Sequence, residues 1–125
     1  MREVEFFLDV GSPTTYLAWT QLPALCREQG AALKVRPMLL GAVFQATGNA
    51  SPANVPAKSR WMNADMARFA QRYRVPFAHN PNFPINTLVL MRAATGVQRR
   101  DPDRLPAYLD GVFRAMWVEP RIRET

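Results

Sequence analysis

The chain has one cysteine, Cys26, and one histidine, His79, in 125 residues. A lone thiol excludes an internal disulfide and any cysteine-built metal cluster within one chain. A lone imidazole excludes a histidine triad and a multi-histidine zinc site. Long apolar runs are lacking too: no stretch approaches the roughly 18 apolar residues of a membrane span, and the N-terminus lacks the basic-then-apolar layout of a signal peptide. These absences point to a cytoplasmic protein with no metal and no membrane partner. Lysine is scarce. Of the 16 cationic residues 14 are arginine, scattered so that only Arg99 and Arg100 are adjacent, and the net charge is +6. That balance suits an anionic small molecule. A nucleic-acid platform would cluster its cations beside exposed aromatics, and no such cluster is present.

A hydrophobic content of 48% over this length supports one domain with a real core. Residues 3–10 form a short run rich in Phe and Val, bounded by Gly11, which predicts a strand. Residues 14–29 turn helical, with Tyr16, Leu17, Trp19, Leu22, Leu25 and Cys26 on one apolar face, Pro23 inside and Gly30 as the stop. Residues 31–37 alternate Leu33 and Val35 with Lys34 and Arg36, a second strand. This order has the length of a right-handed crossover between parallel strands. The remainder reads as helices. A short one covers 39–46, a long one 56–73 carries Met62, Met66, Phe69 and Tyr73 on one face, and another runs from Asn86-Thr87 to Gly96. The last starts with Asp101 as N-cap and Pro102 at its first position. Repeats and low-complexity segments are absent.

Between the first strand and the first helix stands Ser12-Pro13-Thr14-Thr15. A cysteine at the first of these positions and another at the fourth would read as a thioredoxin-like redox site, so that disulfide chemistry is excluded. Ser12 has two readings on this pattern. It N-caps the helix, as serine commonly does, or its hydroxyl and the unpaired amides of the helix start present donors to an anion such as a thiolate or carboxylate.

Several segments at consistent spacing carry a resemblance. Phe6-Phe7-Leu8-Asp9-Val10-Gly11-Ser12-Pro13-Thr14-Thr15-Tyr16-Leu17-Ala18, then residues 36–49 ending in Thr47-Gly48-Asn49, then Pro56-Ala57-Lys58, then Asn82-Phe83-Pro84-Ile85-Asn86-Thr87-Leu88 resemble the 2-hydroxychromene-2-carboxylate isomerase family. The resemblance spans residues 4–118. It implies a glutathione-dependent, thioredoxin-like α/β enzyme related to kappa-class glutathione transferases. The implied layout is a β-α-β start over residues 1–38 and a helical insertion domain over 39–125. The C-terminal half of the thioredoxin-like domain, with its cis-proline loop and further glutathione-binding residues, is then missing, through truncation or because another polypeptide supplies those strands.

The resemblance further implies that Ser12 faces the glutathione sulfur and stabilises it, with Pro13 and Thr14 at the helix start and Asn49 among the glutathione contacts. Asn49 also suits a turn after Gly48. Lys58 and Arg60 are candidates for the substrate carboxylate, and equally a solvated helix start. Asn86 is a candidate substrate contact and a candidate helix cap. The Met62, Met66 and Phe69 stripe, Trp61 and Trp117 are core or pocket lining, and Cys26 is an inert buried thiol. Family members commonly carry an aromatic where Thr14 stands. The expected activity is cis-trans isomerisation of an anionic aromatic substrate. The alternatives are a kappa-like transferase and a catalytically silent chain that self-associates, as a homodimer or larger, through open strand edges.

Overall fold

The computed structural model describes residues 2–122. The first strand, β1 (Glu3–Leu8), leads into helix α1 (Pro13–Glu28), which returns the chain to β2 (Ala32–Pro37). The two strands pair in parallel, with Val4 opposite Leu33 and Phe6 opposite Val35. Strand periodicity sends Phe6, Leu8, Leu33 and Val35 to the core side, while Glu3, Glu5, Phe7, Lys34 and Arg36 are exposed on the other. β1 ends two residues before the sequence expectation. The Asp9 carbonyl accepts from the Ser12 amide at 3.1 Å, which turns the chain before a strand could continue.

Helices α2 (Leu40–Thr47), α3 (Pro56–Tyr73), α4 (Leu88–Arg100) and α5 (Leu105–Trp117) follow. α2 ends on Gly48 at φ 70, a left-handed cap that glycine adopts at no steric cost. α4 runs past Gly96, the expected stop, because the next turn is held by tertiary contacts: Val97 packs on the core and Gln98 Nε2 donates to the Val35 carbonyl at 2.7 Å. Asp101 does not cap the last helix. Its carboxylate pairs with Arg104 Nε at 3.0 Å, and Pro102–Arg104 form a 3-10 turn before α5 begins.

The core gathers Leu8, Val10 and one face of α1 against Met66, Met91, Leu109, Phe113 and Trp117. Trp117 is fully buried, its ring near Phe77 and Phe83, and its Nε1 donates to the Val10 carbonyl at 2.9 Å. Trp19 Nε1 reaches Asp110 Oδ1 at 2.7 Å, tying α1 to α5. Cys26 is buried, as expected of an inert thiol. No helix among the described residues is long and apolar enough to cross a membrane.

Candidate functional site at the strand-to-helix turn

The turn from β1 to α1 is built around Asp9. This side chain is 4% exposed, and three donors converge on it. Oδ1 accepts from the Gly11 amide at 2.9 Å and from the Thr87 hydroxyl at 2.7 Å, while Oδ2 accepts from the Leu40 amide at 2.9 Å. One carboxylate therefore fixes the turn, the start of α2 and the residue preceding α4. Gly11 is required by space: a Cβ there would lie 2.9 Å from Thr87 Cγ2 and 3.3 Å from Asp9 Oδ1.

On this base sits Ser12, half-buried, extended at φ −97 and ψ 118, and the N-cap of the 16-residue α1. Its Oγ accepts from the Thr15 amide at 3.3 Å and lies 2.9 Å from Thr14 Oγ1. A serine hydroxyl has one proton and two lone pairs. Either hydroxyl can donate in the Ser12–Thr14 bond; when Thr14 does, the Ser12 proton is available to an anion beside the positive end of the helix. Pro13 is buried and Thr14 exposed. One turn along, the buried Tyr16 donates its hydroxyl to the Pro76 carbonyl. Burial pushes the Tyr16 phenol above its ordinary pKa of 10.0, partly opposed by the positive Arg114, so Tyr16 stays a neutral donor around neutral pH.

The other sequence-derived residues are not gathered here by any direct contact. Asn49 is exposed, its amide donating to the Phe44 carbonyl at 2.9 Å and its Oδ1 accepting from the Ala50 amide at 2.8 Å. Lys58 and Arg60 are exposed in the first turns of α3. Asn86 is exposed and its Oδ1 accepts from the Leu88 amide at 3.0 Å, the helix-start contact; it adjoins Thr87 and so lies next to the Asp9 clamp. Trp61 is 63% exposed, whereas Trp117, Met66 and Met91 are interior. A cleft of about 270 Å³ between the end of β2 and α4 is lined by Pro37, Met38, Leu39, Met91 and Arg92 among others. A second, of about 750 Å³, lies among α1, β2 and α5. Neither is lined by Ser12, Asn49, Lys58, Arg60 or Asn86. Among the described residues no group of His, Cys, Asp and Glu could hold a metal ion.

The profile of the DsbA-like thioredoxin domain matches residues 3–123. The chain belongs to the DsbA-like thioredoxin family. Within that family its relatives agree with the resemblance carried by the motifs. It is 30% identical to 2-hydroxychromene-2-carboxylate isomerase of Sphingobium xenophagum over 125 residues, covering 96% of this chain and 62% of the relative. It is 31% identical to glutathione S-transferase kappa 1 of Rattus norvegicus, covering 94% of this chain and 52% of the relative. A solved structure of selenomethionine 2-hydroxychromene-2-carboxylate isomerase superimposes with a TM-score of 0.80 at 27% identity, over 94% of this chain and 57% of that one. The chain thus spans between 52% and 62% of the length of these proteins. The DsbA-like fold it shows is the β-α-β start of a thioredoxin-like domain followed by helices.

Asp9 and Thr87 were missed by sequence reasoning. An acidic residue inside an apolar strand, three positions before the serine, was the available signal, because a buried carboxylate must find donors.

Proposed function

We propose that this chain carries the serine half of a glutathione-dependent cis-trans isomerase site of the 2-hydroxychromene-2-carboxylate type. The observation that carries the reading is the Ser12 hydroxyl at the N-terminus of α1, where a thiol would stand in a redox member of the fold. The donor set fits a sulfur anion: a hydroxyl that already accepts from the Thr15 amide and can turn its proton outward when Thr14 donates to it, beside the positive end of a long helix. Bound there, glutathione would supply a thiol for addition to a conjugated carbon, rotation about the former double bond and elimination, which returns the thiol unchanged. Ser12 holds the charge on sulfur and does not itself attack the substrate. Thr14 holds Ser12, and Asp9 holds the turn on which both sit. Asn49, Lys58, Arg60 and Asn86 belong to this reading as contacts to glutathione or to the carboxylate of an anionic aromatic substrate, with no role for nucleic acid or a membrane. The cytoplasm suits both the unpaired Cys26 and a reduced thiol pool.

The relatives named as kappa transferases favour a second reading at the same serine, in which the thiol is consumed by an electrophile. Product analysis separates the two. With glutathione and 2-hydroxychromene-2-carboxylate, an isomerase built on this half-site converts the substrate with the thiol concentration unchanged, whereas stoichiometric loss of thiol selects the transferase. In a complete version of the protein, Ser12→Ala should lower kcat about 10²-fold with little change in glutathione affinity, since charge stabilisation concentrates in the transition state. Weakened binding with unchanged turnover would reject that role. Insulin reduction at thioredoxin-like rates would reject the whole reading, because Ser12-Pro13-Thr14-Thr15 offers no thiol.

A further inference from the structure

The cleft of about 270 Å³ between helix α4 and the segment that leaves β2 has walls tied down at both ends. On one wall the Met38 amide donates to the Leu8 carbonyl at 3.0 Å and the Leu40 amide to Asp9 Oδ2 at 2.9 Å, which pins Leu39 between them. On the other, Thr87 at the head of α4 reaches the same carboxylate at 2.7 Å, and further along Gln98 Nε2 reaches the Val35 carbonyl of β2 at 2.7 Å. The gap is therefore built in, and a ligand need not open it. Its lining is apolar and soft: Met91 is 4% exposed, and Met38, Leu39 and Leu88 are half-buried. Leu88, Met91, Arg92 and Thr95 recur at helical spacing and share one face of α4. Thr95 gives its hydroxyl proton to the Met91 carbonyl at 3.1 Å, so the donor left for an incoming group is the Arg92 guanidinium. Among the described residues Arg92 has no carboxylate partner.

We propose that this cleft binds a small aromatic carboxylate, its ring against Met38 and Met91 and its carboxylate on Arg92, and that occupancy braces the Asp9 clamp. Volume selects the size. The cleft lies at the small end of ligand pockets, which suits one or two rings and excludes a nucleotide. The guanidinium selects the head group, because its planar fork pairs with a carboxylate in a fixed orientation. Two thioethers select an aromatic body over an aliphatic one, since methionine sulfur makes favourable contacts with ring edges and its unbranched chain adapts to their shape. The bracing follows from position. Leu39 and Leu88 line the cleft and adjoin Leu40 and Thr87, two of the three groups that hold Asp9, so a ligand that ties the walls together suppresses local opening of the clamp. Ser12 does not line the cleft, and this inference is independent of the chemistry proposed there.

Benzoate titrated into the 125-residue chain and followed by amide NMR tests it, with circular dichroism to confirm folding of each variant. A dissociation constant of about 1 mM is expected, with shifts at Leu39, Leu88 and Met91 and slower hydrogen exchange at the Gly11 and Leu40 amides that Asp9 accepts. Benzamide, which keeps the ring and loses the charge, should bind about tenfold more weakly or worse. Cyclohexanecarboxylate, which keeps the charge and loses the ring, should bind about threefold more weakly. Arg92→Gln should weaken benzoate about tenfold, and Arg92→Lys should recover part of that loss. Absence of saturable shifts at about 10 mM benzoate overturns the site, as does binding indifferent to Arg92→Gln. Benzamide or cyclohexanecarboxylate matching benzoate overturns the ligand class. Binding that leaves the Gly11 and Leu40 amides unprotected overturns the bracing.

Discussion

Two regions that carry candidate site residues are built in opposite ways. In the turn at residues 9–12 both oxygens of the Asp9 carboxylate have named donors, Asp9 is 4% exposed, and Gly11 has no room for a Cβ. In the segment from α2 to the start of α3, which holds Asn49, Lys58 and Arg60, α2 has no buried residue and its apolar Val43 is 42% exposed. One bond joins the two, from the Leu40 amide to Asp9 Oδ2. The difference is one of local stability. A site residue on the turn is held by a buried network, while one on the segment is held only by its own helix and turn bonds, the kind of region that opens at low free energy.

Removing the shared carboxylate should have the largest effect. Asp9→Ala leaves the Gly11 and Leu40 amides and the Thr87 hydroxyl without their acceptor, and should cost about 3 kcal/mol or more in urea unfolding. Asp9→Asn should cost less, about 1–2 kcal/mol, because its amide nitrogen must face one of three donors. Equal stability of Asp9→Ala and the parent chain would show that the turn is not held as described. The next effect tests space in place of charge. Gly11→Ala should cost about 1–3 kcal/mol through the contact with Thr87 Cγ2. Thr87→Ser keeps the hydroxyl on Asp9 and deletes that methyl, so the double variant should recover most of the loss. Additive losses would place the strain elsewhere.

What the sequence disclosed follows the same division. Periodicity located both strands and the helices, because the buried faces of α1, α3 and α5 repeat at helical spacing. Boundaries failed where tertiary contacts decide them. Gly96 reads as a stop until Val97 and Gln98 find the core and β2, and Asp101 reads as a cap until Arg104 takes its carboxylate. Ser12 was visible because a strand, a glycine and a proline surround it. The Asp9–Thr87 pair was not, since 78 residues separate the partners and nothing local records their meeting.

A smaller effect should appear at alkaline pH. The Tyr16 hydroxyl bonds the Pro76 carbonyl, and burial raises its pKa above 10.0 in the folded chain. Its contribution is therefore fully present below the unfolded pKa and is lost as pH rises through the folded one. Tyr16→Phe should cost about 1 kcal/mol at neutral pH. It should also flatten the alkaline fall in stability, leaving the similarly raised Tyr108 as a remaining phenol contribution. A parent and variant that lose stability in parallel above pH 10.0 would show that Tyr16 is not the group responsible.

The smallest change in stability should come from the exposed segment, where it separates function from fold most cleanly. Asn49 gives its side chain only to the adjacent Ala50 amide, and its backbone amide, which closes the α2 cap, survives substitution. Asn49→Ala should therefore move the unfolding free energy by less than about 0.5 kcal/mol. Lys58→Ala and Arg60→Ala should do the same, since both side chains are exposed. If these residues contact ligand as proposed, the alanine variants should weaken glutathione or substrate binding by calorimetry while their unfolding curves overlay that of the parent. Overlaid unfolding curves with unchanged binding would confine the site to the turn. A stability loss near that of Asp9→Ala would instead mean that the segment is anchored as firmly as the turn, and the contrast between the two regions would fail.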